Sequence, residues 1–390
     1  MNNLWTDTGY VSINKNGEQL CGDKVEIIGS ADGCTTLVLA DGLGSGVKAN
    51  ILSTLTSKIL CTMMDAGMGV EDCVDTIVNT LPVCQLRKIA YSTFTIIRIG
   101  NNDTARIIQF DNPNVIFLRN GRSIDYPIVS RVVGDKKVLE STITLQLDDT
   151  FIAMSDGAIY AGVGKTLNFG WQRDNIVDFA EAFFDWGLSA KSIASTIVDE
   201  CNRLYEGEPG DDTTVACVKI KKRCPVNLMI GPPASPADVS MMMSLFFAKE
   251  GIKIVCGGTT STLAAEFLGK PLRTSLNYCD PEIPPIAMVE GIDLVTEGVI
   301  TISRVVEYAK IYLSSDNLTT PWGNSNNGAS LVARLLFEKA TDINFFVGKA
   351  INPAHQNPAL PINFGIKIRL IQELAEYLEK MGKHIKVSYF

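Results

Sequence analysis

Four acidic clusters stand beside strand-like runs in the first half of the chain: Asp23 in CGD, Asp41-Gly42 in ADGLGSG, Asp156-Gly157 in SDG, and Asp211-Asp212 in GDDTT. Each alone is ordinary turn chemistry. Their placement says more. The apolar run LVLA leads into Asp41 and FIAM into Ser155-Asp156, while Asp211-Asp212 leads into TTVACV. Strand ends on a rigid sheet can carry several carboxylates towards one place. Bare carboxylates held together repel and raise one another's pKa. Two divalent cations remove that repulsion and acidify a bridging water. The chain has only two histidines, His355 and His384. An oxygen-rich, histidine-poor donor set selects Mg²⁺ or Mn²⁺ over zinc. Gly42, Gly44 and Gly46 let backbone approach a cation closely.

Other motifs carry less. AGVGKT, from Ala161 to Thr166, ends like a phosphate-binding loop, but Ile159 stands where that pattern needs glycine. Cys217 and Arg223 have the spacing of a cysteine phosphatase loop, yet VKIKK between them reads as a strand, which makes Cys217 a core residue. His355, in INPAHQNP, has no partner at a telling spacing and reads as a loop residue. In the second half, strand-like runs end in glycine at Gly231, Gly257-Gly258-Thr259-Thr260, Gly298 and Gly348. GGTTST before a helix offers backbone N–H groups, hydroxyls and a positive helix end to an anion. The same glycines also suit tight turns in a packing or dimerisation module.

The elements that must position these residues divide into two sets. Up to Lys222 the pattern is Val-, Ile-, Thr- and Phe-rich strands separated by Asn/Asp/Gly turns. Apolar residues at helical spacing run from Ser45 to Asp65, and further helices are expected over Glu71–Leu81, Arg173–Trp186 and Ala190–Tyr205. Sheets with two pairs of helices imply an α-β-β-α sandwich. After KKRCPVN, strands VNLMIG, IKIVCG, IDLVTEG, INFFVGK and IKVSYF alternate with helices, the first opened by Ser235-Pro236. This is the pattern of a smaller α/β domain with a mainly parallel sheet. The expected domains are 1–222 and 223–390.

Bulk properties narrow the classes further. The chain has 390 residues, 46% hydrophobic and 20% charged, with net charge −8. No basic face for nucleic acid is apparent, and Lys219, Lys221, Lys222 and Arg223 read as a solvated strand end. Apolar runs are too short to span a membrane. The first ten residues lack a signal-peptide pattern, and cysteines such as Cys61, Cys217 and Cys256 lie in apolar segments. A cytoplasmic protein is expected.

DGLGSG opening a long helix, SDG, and GDDTT before a final strand together resemble the PPM metal-dependent protein phosphatases, in their SpoIIE/RsbU/RsbX-like bacterial branch. NPNVIFLRNG resembles a strand turn of that branch. The resemblance covers about the first 220 residues. It implies a serine/threonine phosphatase that uses two divalent cations, Mn²⁺ or Mg²⁺. Asp41 would bridge both, with the Gly42 carbonyl, Asp156 and Asp211 completing the set. Asp23 would hold a water or one metal, and Asp212 would support its neighbour. The implied partner is a bacterial phosphoprotein of the anti-sigma-factor-antagonist type. A homodimer through the second domain is a further expectation. Two readings stay beside the phosphatase: a scaffold that keeps the sandwich without turnover, and a hydrolase of small phosphoesters.

Overall fold

The structure is a computed structural model and describes residues 4–29, 33–80, 92–100, 103–133, 136–184, 187–274, 280, 282–314, 322–323, 325–350 and 363–390. The chain forms two compact units, Met1–Lys222 and Arg223–Phe390. Of the residues named in the sequence, Leu81, Trp186 and His355 lie outside the described residues.

The first unit has strands β1 (Leu4–Ile13), β2 (Asp23–Gly29), β3 (Thr35–Gly42), β4 (Ser92–Ile99), β5 (Thr104–Phe110), β6 (Ile116–Arg119), β7 (Arg122–Ser123), β8 (Val129–Val133), β9 (Lys136–Thr144), β10 (Thr150–Met154) and β11 (Thr213–Lys222). Its helices are α1 (Gly46–Asp65), α2 (Val70–Thr80), the single turn α3 (Asp156–Ile159), α4 (Arg173–Phe183) and α5 (Ala190–Leu204). Two antiparallel sheets run β2-β3-β4-β5-β9-β8 and β1-β11-β10-β6-β7. Period-two alternation assigns the faces. Leu37, Leu39, Ile97 and Ile99 meet Phe117, Phe151, Ala216 and Val218 between the sheets. Val38, Ala40, Phe94 and Ile96 pack instead against Leu52, Leu60 and Met64 of α1 and Ile77 of α2. With α5 lying on β1 and β11, this is the α-β-β-α sandwich.

Strand β1 has no counterpart in the sequence reading, because Asp7 and Gly9 interrupt its apolar alternation. Asp7 is 6% exposed and satisfied from two sides. Its Oδ2 accepts from the Ala190 amide at 2.9 Å, at the start of α5, and from Lys221 Nζ at 3.3 Å. A carboxylate at a helix N-terminus is favourably placed. This also corrects the expected solvated strand end: Lys219 is fully buried, donating to the Leu188 carbonyl at 2.9 Å, and Lys221 pairs with Asp7. Only Lys222 and Arg223 of that run are exposed.

The second unit contains β12 (Pro225–Ile230), α6 (Val239–Phe247), β13 (Ile252–Cys256), α7 (Gly258–Leu268), β14 (Arg273–Thr274), β15 (Ala287–Met288), β16 (Leu294–Thr296), α8 (Val299–Leu313), α9 (Gly328–Ala333), β17 (Asp342–Val347), α10 (Asn363–Lys380) and β18 (His384–Tyr389). The sheet order is β14-β15-β16-β13-β12-β17-β18, with β16 to β18 parallel and an antiparallel edge. Val226, Leu228 and Ile230 face a core shared with α8, α9 and α10, while Met229 and Val255 face Met242, Phe246 and Ala264 of α6 and α7. Helices therefore cover both faces, as a parallel sheet requires. The helix opened by Ser235 begins as a short 3-10 turn and stops at Phe247. Helix α9 is continued by a π-helical stretch, Arg334–Lys339.

Candidate metal centre

The two sheets present their acidic strand ends to one cleft of about 310 Å³, lined among others by Lys15, Asp41, Gly42, Asp156, Asp211 and Asp212. Asp41 ends β3, and Asp23 begins β2 directly opposite it in the antiparallel register. Asp156 follows β10, and Asp211-Asp212 precedes β11. The expected site residues of the first unit thus gather at one seam, with Asp23 buried beside the cleft at 3% exposure.

Local structure fixes each position. A Cβ on Gly42 would stand 2.1 Å from the Ala49 carbonyl oxygen, so glycine lets α1 close onto the end of β3. Gly44 has φ +104°, which turns the chain sharply into that helix. Ser92 Oγ donates to the Asp41 carbonyl at 2.9 Å, and Asn50 of α1 donates to the Cys21 carbonyl at 2.8 Å. Across the seam, Ser155 Oγ donates to Asp23 Oδ2 at 2.7 Å and accepts from the Thr214 amide at 2.9 Å. Tyr205 at the end of α5 donates to the Gly157 carbonyl at 2.7 Å.

The electrostatics are those of crowded carboxylates. Burial, then the charges of Asp23, Asp156 and Asp211, push Asp41 up to about 9. Burial pushes Asp23 up to about 7 against the hydrogen bonds of Ser155 and Thr214, with Asp212 and Asp156 adding to the rise. Asp156 is raised by loss of part of its water shell and then by Asp211; Asp212 is raised chiefly by burial. Asp23 Oδ1 and Asp212 Oδ2 are buried with no hydrogen-bond partner. Buried carboxylate oxygens of this kind demand a proton or a cation. Oxygen donors alone, with no histidine among the cleft residues, fit a hard divalent ion. The seam assembles these donors without closing them: among the described residues, no three His, Cys, Asp or Glu side chains group tightly enough to enclose a metal.

One contributor had little signal in the sequence. Lys15 lines the cleft, with its amide donating to Asp212 Oδ1 at 3.0 Å and its Nζ 3.8 Å from Asp211. A lone lysine in a polar loop announces nothing. Asn112, in the NPNV turn, accepts from Thr93 Oγ1 at 2.5 Å and donates to Thr95 at 3.2 Å, steadying the strand beside Asp41. Cys217 is fully buried, as its strand context implies. Gly257, Gly258, Thr259 and Thr260 belong to a separate cleft within the second unit.

A family model described as Stage II sporulation protein E (SpoIIE) matches residues 31–221. Stage II sporulation protein E of Priestia megaterium is 23% identical over 224 residues, covering 56% of this chain and 37% of that protein. The Bacillus subtilis (strain 168) protein of the same description is 24% identical over 235 residues, covering 58% of this chain and 27% of that protein. The chain therefore spans less than two fifths of the length of these relatives. Among solved structures, the phosphatase domain of SpoIIE from Bacillus subtilis aligns over 57% of this chain and 95% of its own, at 21% identity and TM-score 0.44. RsbX in complex with magnesium aligns over 57% and 98%, at 20% identity and TM-score 0.39.

Proposed function

We propose, from the match of residues 31–221 to the SpoIIE family model, that the first unit is a metal-dependent serine/threonine protein phosphatase. The observation that carries the metal dependence is the pair of buried, partnerless carboxylate oxygens, Asp23 Oδ1 and Asp212 Oδ2, within a five-aspartate seam. Asp41, Asp156 and Asp211, with Asp23 and the Gly42 carbonyl, would hold two divalent cations, Mn²⁺ or Mg²⁺. When bound, these ions supply an activated water and neutralise phosphoryl charge.

The chain's own residues have distinct tasks. Ser155 and the Thr214 amide hold Asp23 in place from the opposite sheet. Asp212, anchored by the Lys15 amide, steadies the loop that presents Asp211. Lys15 Nζ is the ammonium group among the cleft residues and would attract the phosphate of a docking phosphoserine or phosphothreonine. The proposed substrate is a phosphorylated bacterial regulatory protein of the anti-sigma-factor-antagonist type, met in the cytoplasm. Among the described residues no helix is long and apolar enough to cross a membrane.

The test is hydrolysis of an aryl phosphate and a phosphoserine peptide with Mn²⁺, Mg²⁺ or EDTA, for wild type and Asp41→Asn. Activity is expected only with a divalent ion, and about 100-fold or more lower in Asp41→Asn, as for loss of an electrostatic catalytic element. Equal rates in both proteins would remove Asp41 from the site. No activity in any condition would favour the scaffold reading, and turnover of the aryl phosphate alone the small-phosphoester reading.

A further inference from the structure

The sheet of the second unit has an order that the first unit's function does not use. Counted along the chain, its parallel strands β12, β13, β16, β17 and β18 lie in the order third-second-first-fourth-fifth. The chain moves outward from β12 through β13 to β16, then crosses back to place β17 on the other side. In open sheets of this kind, small ligands bind beyond the carboxyl ends of the strands where the order reverses. At that edge lies a cleft of about 400 Å³, with Gly231, residues 257–260, Glu297, Gly298 and Lys367 on its walls.

The walls are chemically unequal. Helix α8 is already capped, since Glu297 Oε2 accepts from the amides of Ile300 at 2.9 Å and Thr301 at 3.2 Å. Helix α7 is preceded by Gly257, at φ +105°, and has no side-chain cap. The Ser261 amide reaches the Gly257 carbonyl at 2.9 Å, so the amides of Gly258, Thr259 and Thr260 precede the first full helical bond. Beside them Thr260 is 1% exposed and lines the cleft. Its hydroxyl oxygen stands 3.4 Å from where a Cβ on Gly257 would be, and has no hydrogen-bond partner among the described residues. A buried hydroxyl turned to a cleft, next to three amides and a positive helix end, is a set of donors lacking an acceptor. From the other wall, Lys367 Nζ donates to the carbonyls of Gly348 and Ala350, which leaves one of its three N–H groups for the cleft.

We infer that this cleft binds a phosphate monoester carrying hydroxyl groups, with its phosphate on the start of α7. The phosphate accepts from the α7 amides, the Thr260 hydroxyl and Lys367. Several donors arranged around one anion suit a tetrahedral phosphate, whose three terminal oxygens exceed the two of a carboxylate. Glu297 places a carboxylate at the same cleft, where a phosphate would be repelled but a ligand hydroxyl could donate. That selects a sugar phosphate or nucleotide over a bare anion.

The test is isothermal titration calorimetry on the full chain in EDTA, which keeps cations out of the acidic seam. The ligands are ribose 5-phosphate, AMP and inorganic phosphate. Ribose 5-phosphate or AMP should bind at least tenfold more tightly than inorganic phosphate. Gly258→Asp sets a carboxylate at the first position of α7, where the added Cβ meets nothing within 4 Å. It should abolish binding without lowering the melting temperature. Lys367→Ala should weaken both organic ligands about tenfold, and Glu297→Gln should weaken them but not inorganic phosphate. No heat with any ligand, or wild-type binding by a folded Gly258→Asp, overturns the site. Equal binding of inorganic phosphate overturns the role given to Glu297.

Discussion

Ser155 shows how much a single side chain does at the seam. It is fully buried, donates to Asp23 on one sheet and accepts from the Thr214 amide on the other. Ser155→Ala removes the donor from a carboxylate whose second oxygen is already without a partner. The expected loss is about 1–3 kcal/mol in urea denaturation with EDTA present, the range for orphaning a buried polar group. Saturating Mn²⁺ should recover part of it, because the cation satisfies the carboxylate directly. An unchanged unfolding midpoint would mean that Asp23 finds another donor. The acidic residues of the site were legible because each one ends or begins an apolar run. Ser155 was visible only as part of SDG, and Lys15 not at all, because a bond spanning 132 or 197 positions leaves no local periodicity.

At the scale of elements, the junction of β3 and α1 is the tightest constraint on the centre. Gly42→Ala would drive a Cβ into the Ala49 backbone, and backbone cannot swing aside as a long side chain can. The helix must move off the strand, at about 1–3 kcal/mol for an overpacked site. The measurement is thermal melting alongside the Mn²⁺ concentration needed for half-maximal activity. Both are expected to worsen, because Asp41 sits one residue before the displaced turn. Helix α1 was legible end to end, since its apolar spacing is regular and Ser45 marks its start. Strand β1 was not, because Asp7 is held by α5 and Lys221, and neither partner is near it in sequence. The 3-10 start of the helix after Ser235 and the π stretch after α9 were not legible either, because apolar spacing over so few residues does not separate these windings from an α-helix.

For the whole molecule, the division at Lys222 separates two independent cores. Differential scanning calorimetry is expected to resolve two transitions. Mn²⁺ at 100-fold its dissociation constant should stabilise one of them by about 2.7 kcal/mol and leave the other in place. A single transition, shifted as one, would mean that the two cores unfold together. The parallel sheet of the second unit was legible from its strand–helix alternation. Its strand order was not, because alternation fixes which elements exist and not which strands become neighbours.

The pairing of β1 with β11 has a consequence for how the molecule is made. Leu4 aligns with Lys222, so the earliest strand of the first unit waits for the last. On the ribosome, β2 to β5 can pair with neighbours as they emerge, whereas the second sheet stays without its first strand until the whole unit has been synthesised. Asp23 and Asp41 ride on the early sheet; Asp156, Asp211 and Asp212 belong to the late one. A nascent chain thus carries its acidic residues apart, and the proposed cation site can come together only when biosynthesis of the unit is complete.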